Sequence, residues 1–203
     1  IGTSNTAVGK GTLLANTTGG GNTAVGTNAL DANTIGIHNT GLGANALTAN
    51  TTGVRNTAVG FHSMNSTTIG NNNTSIGFQS MMNNTTGGSN TALGYQALFT
   101  NVSGQYNTAV GTYPLFSNTG GNWCTAVGHH AMYSNTAHYG TAVGYYALRY
   151  NTTGAVNTAV GFDALRTNTI GSHNVAVGHN TLRNSTTGGY NVAIGSTALY
   201  LNT

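Results

Sequence analysis

Glutamate is absent from this 203-residue chain, and Asp31 and Asp163 are its only acids. Charged residues make up 3% of the sequence and the formal net charge is +3. General acid/base catalysis and hard-metal binding both draw on carboxylates, so an enzyme is the least expected class and no cofactor is implied. A long charged helix or coiled coil is excluded for want of Lys, Glu and Arg. The single proline excludes collagen and polyproline rods, and the single cysteine, Cys124, excludes an intrachain disulfide. No basic patch suited to nucleic acid is present, and no apolar run reaches the ~18–20 residues of a membrane span. The first residue is not Met and no signal peptide is visible. The chain therefore reads as a mature form or an excerpt of something longer.

What fills the sequence instead is Asn, Thr and Gly, with 29, 36 and 31 copies. They are arranged in a repeat. The phrase N-T-A-V-G closes on Gly9, Gly26, Gly43, Gly60, Gly77, Gly94, Gly111, Gly128, Gly144, Gly161, Gly178 and Gly195. Each step is 17 residues except Gly128 to Gly144, which is 16, a one-residue deletion between Asn135 and Gly140. The consensus is N-T-A-V-G-x-x-A-L-x-x-N-T-T-G-x-x, and one array spans residues 1–203.

Each column of the repeat has a physical role. A branched aliphatic residue precedes the glycine (Val8, Val25, Leu42 and onward), and Leu or Met follows it by four (Leu13, Leu30, Met64, Met132, Leu199). Two residues before the glycine the side chain is always small. Three before, it is Thr, or Val at 175 and 192. Alternation along a strand puts the Thr and aliphatic columns on one face, expected to be the core, and the small column on the other. Seventeen residues are too few for a helix pair, and β-branched residues favour strand. The pattern predicts an all-β parallel β-solenoid of about twelve coils, with two or three short strands in each. Asn columns at Asn5, Asn22, Asn39 and onward, and at Asn16, Asn33, Asn50 and onward to Asn202, are expected to form side-chain ladders. Two thin apolar stripes are a poor core for an isolated rod, so lateral association is expected; the small-residue column is either the flat face for it or a cramped position inside each coil.

The repeat resembles those of trimeric surface-fibre and tail-fibre proteins, and the head repeats of trimeric autotransporter adhesins, which are shorter. Asn174-Val175-Ala176-Val177-Gly178 and Asn191-Val192-Ala193-Ile194-Gly195 carry the likeness most closely. The resemblance covers the whole chain. It implies a left-handed, trimeric β-roll in an extracellular fibre at a cell or virion surface. The chain's two ends are in register, since joining Thr203 to Ile1 restores the phrase, and neither bears a cap. Head-to-tail continuation, by another copy or by more of the same chain, is the expectation.

Several residues are candidates for binding. Arg149, Arg166 and Arg183 share a column in successive coils, where a bridging anion or solvated, splayed side chains are the alternatives. Phe61, Phe78, Tyr95, Tyr145 and Phe162, with His129 and His179, line the position after the glycine. Tyr106 and Trp123 share a turn column. These rings could engage cell-surface glycans or simply stack on one another. His129, His130 and His138 lack acidic or thiol partners at metal-binding spacing, so no metal is expected. Cys124 stands in an Asn column and reads as a buried, inert thiol. Ten N-x-S/T sequons occur, at Asn16, Asn50, Asn65, Asn72, Asn73, Asn83, Asn84, Asn101, Asn151 and Asn184, and are candidate glycan carriers in a secretory host. The favoured function is structural, a fibre rung or shaft that associates with itself. A glycan-binding adhesin module is the alternative, and ice binding through ranked threonines a weaker one.

Overall fold

The computed structural model describes residues 2–201. It is a β-solenoid. Each coil contributes one three-residue strand: β1 Thr6–Val8, β2 Thr23–Val25, β3 Thr40–Leu42, β4 Thr57–Val59, β5 Thr74–Ile76, β6 Thr91–Leu93, β7 Thr108–Val110, β8 Thr125–Val127, β9 Thr141–Val143, β10 Thr158–Val160, β11 Val175–Val177 and β12 Val192–Ile194. They form one parallel sheet in chain order. Like residues stack: Thr6 on Thr23, Ala7 on Ala24, Val8 on Val25, and Val25 on Leu42. The expected joint between Thr203 and Ile1, and Asn202 of the second Asn column, lie outside the described residues.

The expectation of two or three strands per coil is corrected to one. The rest of each coil still bonds to its neighbour, as in Leu30 N–H to Ala46 O at 3.0 Å and Thr34 N–H to Thr51 O at 3.0 Å. Left-handed residues interrupt the extended backbone. In the second coil these are Asn28 (φ 55°), Leu30 (φ 53°) and His38 (φ 57°). A left-handed conformation costs an L-residue about 1–2 kcal/mol. Burying a leucine returns about 1.5–3 kcal/mol, so the Leu30 column tolerates the strain because it fills the core.

That core corrects a second expectation. The small column points inward: Ala24, Ala58, Ala92, Ala126 and Ala159 are buried, whereas the flanking Thr and aliphatic columns face out. The lumen is occupied by Leu30, Leu47, Met64, Met81, Leu98 and their successors, sandwiched between the Ala24 and Ala29 columns. There is no room for a branched residue opposite the leucines. A Cβ built on Gly41 would already lie 3.5 Å from Leu30 Cγ. Where Ser63, Ser75 and Ser80 replace core alanines, their hydroxyls bond within the lumen, Ser63 Oγ to Ser75 Oγ at 2.9 Å and Ser75 Oγ to Ser80 O at 2.9 Å. A Met occupies the leucine position in both of these coils.

Both Asn columns point inward, and all but their end members Asn5, Asn16 and Asn191 are buried among the described residues. Asn22 Nδ2 crosses its coil to Gly36 O at 2.8 Å, and Asn22 Oδ1 accepts the Asn39 N–H at 2.9 Å. Asn33 Nδ2 reaches both Asn16 Oδ1 at 2.9 Å and Gly36 O at 3.1 Å. One ladder therefore ties side chain to backbone, and the other ties amide to amide. Where Thr67 and Ser185 replace the ladder asparagine, Asn50 Oδ1 and Asn168 Oδ1 are buried without a donor.

The sixteen-residue coil is absorbed in its turn. β8 and β9 stay in register, Thr125 on Thr141. Ala137 supplies the carbonyl that glycine supplies elsewhere, accepting from Asn135 Nδ2 at 2.9 Å. Gly140 lacks the ladder side chain, and the Met132 methyl fills the space it vacates. Pro114 sits where the backbone N–H otherwise makes only a long turn bond, such as Ala29 N–H to Gly26 O at 3.3 Å. Losing that donor there costs little.

Candidate functional site

Four outward features follow from this register. The first is the strand face. Threonines stand beside a rank of branched aliphatics, several of which are exposed: Val8 58%, Leu42 45%, Ile76 40% and Leu93 38%. Val175 and Val192 continue the Thr rank. Uncharged and periodic over twelve strands, this face carries a continuous apolar rank without a partner among the described residues.

The second feature is aromatic. Phe61, Phe78 and Tyr95 stack with centroids 5.6 and 5.4 Å apart, and His129, Tyr145, Phe162 and His179 stack at 5.1, 5.1 and 5.2 Å. The spacing follows the coil repeat of ~4.8 Å. Interior rings such as Phe78 have both faces covered by neighbours, so they offer edges rather than faces to a ligand. Tyr106, Trp123 and Tyr139 form a third stack at 5.7 and 5.0 Å. Sequence reading missed a fourth, Phe99, Phe116 and Tyr133, at 5.0 Å per step. Its signal was the same 17-residue spacing, two residues before the coil's second Asn rather than directly after its glycine.

The third feature is the arginine column, which continues that fourth stack. The anticipated bridging anion is partly supplied from within. Asp163 Oδ2 accepts from Arg166 Nη1 at 3.1 Å and from Arg183 Nε at 2.9 Å, and the Asp163 side chain is 4% exposed. Arg183 also donates to Tyr200 Oη at 3.2 Å. Arg149 has no carboxylate; its guanidinium lies 4.1 Å over the Tyr146 ring and 4.9 Å from that of Tyr150. The residues are therefore neither splayed nor mutually bare.

The fourth feature is His130. Its ring packs among Tyr113 (4.9 Å), Tyr133 (4.8 Å), Tyr146 (5.4 Å) and His129 (4.1 Å). Partial burial, with the neighbouring His129 and Arg149 adding to it, lowers its pKa from the ordinary 6.5 to about 4. The unfolded chain then binds a proton at His130 below pH 6.5, while the folded chain accepts it only near pH 4. Stability falls as pH drops through that window and levels off below it. We expect thermal melting to shift down between pH 7.5 and pH 4.5, and His130→Gln to shrink that shift. An equal shift in the variant would show that His130 does not cause it.

The remaining candidates are placed by the same geometry. Asn50, Asn73, Asn84, Asn101 and Asn151 are buried ladder members, closed to a glycan in the folded coil, which corrects the expectation for these five. Asn16 is part-buried and donates to Gly19 O. Asn65, Asn83 and Asn184 are half-buried and Asn72 is exposed. His138 lies apart from the His129–His130 pair, accepting the Asn122 N–H at 3.0 Å. No group of three or more metal-ligating side chains occurs among the described residues. Burial pushes the Cys124 thiol pKa up against hydrogen bonds from Gly140 and Asn135 that lower it, which opposes thiolate chemistry.

The fold and these faces define a β-solenoid repeat protein with internal asparagine ladders. Comparison with models of known protein families, with curated proteins and with solved structures finds no match.

Proposed function

We propose that this chain is a structural module of an extracellular fibre, in which copies associate side by side through the strand face. The observation that carries the reading is the outward rank of branched aliphatics on twelve stacked strands. A rod that leaves such residues in water gains by covering them, at roughly 25 cal/mol per Å² of apolar surface. The small column was either the face for lateral association or a cramped position inside the coil. That column is the lumen, and the aliphatic column is the face available for contact. The resemblance to trimeric fibre repeats supplies the number of copies, three, around an axis lined by Val25, Leu42, Val59 and their successors. β1 and β12 are the outermost strands of the described sheet, and a further coil of the same register can be laid on either. The rod's work is mechanical: few charges, continuous backbone pairing and no long exposed loop among the described residues make it stiff and resistant to proteases.

Sedimentation tests the reading. The native chain is expected to run as a trimer. Val110→Asp combined with Val127→Asp, on adjacent central strands, is expected to give a monomer with an unchanged circular dichroism spectrum. A native chain that is monomeric at micromolar concentration refutes it. One observation favours a second reading, ice binding: the threonines that were expected to face inward face outward, in ten of the twelve strands. A monomeric chain showing thermal hysteresis would select that alternative.

A further inference from the structure

Of three cations in successive coils, two share one anion and the third has none. Asp163 accepts from Arg166 and Arg183 through the same oxygen, Oδ2, and its other oxygen, Oδ1, is buried without a donor. Arg149 donates no side-chain hydrogen bond among the described residues, and its Nε, like that of Arg166, is buried and unpartnered. In a chain with five Lys and Arg and two acids, this column concentrates three positive charges against one negative. Arginine carries five donors in a planar fork, so most of the donor capacity of Arg149 is unused within the fold.

What surrounds the free guanidinium narrows the ligand. Tyr146 and Tyr150 hold Arg149 by cation–π contact, and Arg166 lies 5.0 Å from the same Tyr146 ring. Tyr150 is 39% exposed. Cationic forks beside a flat, partly wetted phenol ring suit an acidic group attached to a sugar ring: the acid takes the fork, and the ring's C–H face lies on the tyrosine. Nucleic acid fits poorly, because its backbone needs a longer basic stripe than one column gives. The column leaves the coil six residues beyond the strand's last residue, so it does not belong to the aliphatic face and stays open in a laterally associated rod.

We propose that Arg149, with Arg166 and the ring of Tyr150, forms a binding site for an acidic polysaccharide, one carrying carboxylate or sulfate on its sugars. Arg149 makes the primary ion pair. Asp163 limits the site by holding Arg166 and Arg183 inward.

Binding to three immobilised polymers tests this at about 0.15 M salt, where distant surface charges are screened: polygalacturonate, a sulfated glycosaminoglycan and neutral dextran. One or both acidic polymers should bind and dextran should not; whichever acidic polymer binds more tightly identifies the acid. Arg149→Gln removes no hydrogen bond from the fold and should weaken binding about tenfold or more, with the circular dichroism spectrum unchanged. Asp163→Asn should tighten binding several-fold by releasing two guanidinium groups. Should that variant unfold, Tyr150→Ala provides the second arm, with an expected loss of affinity. The proposal is overturned if neither acidic polymer binds, if dextran binds equally, if single-stranded DNA binds as tightly as the acidic polymers, or if Arg149→Gln binds like the native chain. The Val110→Asp, Val127→Asp variant should retain binding, so this result and the oligomer result stand apart.

Discussion

Gly60→Ala is expected to destabilise the rod by about 2–6 kcal/mol, the sum of a strained backbone conformation and overpacking against the next coil. Gly60 has φ +127°, outside even the left-handed helical region, and a Cβ there would lie 2.5 Å from Gly77 O and 2.8 Å from its carbonyl carbon. Backbone, not a flexible side chain, is in the way. Relaxing the clash means lifting one coil off another, which lengthens bonds such as Gly77 N–H to Val59 O, now 2.8 Å. Gly120→Ala makes the same chemical change where nothing opposes it. Its φ is not in the positive range, and its Cβ would meet only Ser103 Oγ at 3.5 Å. That variant should be unchanged or more stable by up to about 1 kcal/mol, through a less flexible unfolded chain. Urea midpoints for the two variants provide the check. If Gly60→Ala melts like Gly120→Ala, the coils are not in backbone contact at the glycine column.

The second large effect is expected at Asn56. Its Nδ2 donates to Gly70 O at 2.7 Å, and its Oδ1 accepts from Asn73 N–H at 3.0 Å. In neighbouring coils the equivalent glycine carbonyl has two donors: Gly53 O receives both Asn39 and Asn50. Gly70 O has only Asn56, because Thr67 replaces the second ladder asparagine. Asn56→Ala therefore strands a buried carbonyl and a buried N–H, at about 1–3 kcal/mol each, whereas Asn39→Ala strands only the N–H of Asn56. The expected loss is about 2–6 kcal/mol at Asn56 and about 1–3 kcal/mol at Asn39. Thr67→Asn should act in the opposite direction. It offers Gly70 O a second donor and Asn50 Oδ1 its missing one, for a gain of about 1 kcal/mol. Combined with Asn56→Ala, it should recover part of the loss. Equal losses at Asn39 and Asn56 would mean that the carbonyl finds another donor, and the ladder's role would be smaller than its geometry suggests.

The period, the parallel register, the two asparagine ladders and the placing of the deletion in a turn were all legible in the sequence, because each is a matter of which residue lies over which. Orientation was not. Alternation in Thr23-Ala24-Val25 says that Thr and Val share a face, but it is silent on which face is inside. Hydrophobicity argued for the valines. The winning constraint was volume: a lumen that already holds Leu30 and Ala29 admits an alanine opposite and nothing branched. That signal was present, since the inward column is never larger than Ala or Ser, and it is why a cramped interior position stood beside an outward contact face as a reading; choosing between them required knowing how narrow the coil is. The arginine column shows the same gap. Asp163 lies twenty residues before Arg183 in the chain, a separation no local pattern flags, yet the stacking of coils makes them an ion pair at 2.9 Å. The Met132 methyl in the space left by Gly140 is another such pairing, invisible until the sixteen-residue coil is closed.

Strand pairing in this rod runs only from one coil to the next. Among the described residues no distant element braces the structure, so damage has nowhere to spread except one storey at a time. A protease cut in the turn between Asn135 and Gly140 would leave two shorter columns, each still holding its own lumen and amide ladders, with a freshly bared edge between them. Such a scaffold fractures rather than collapses, and the broken surface carries the template needed for another piece to be grafted on.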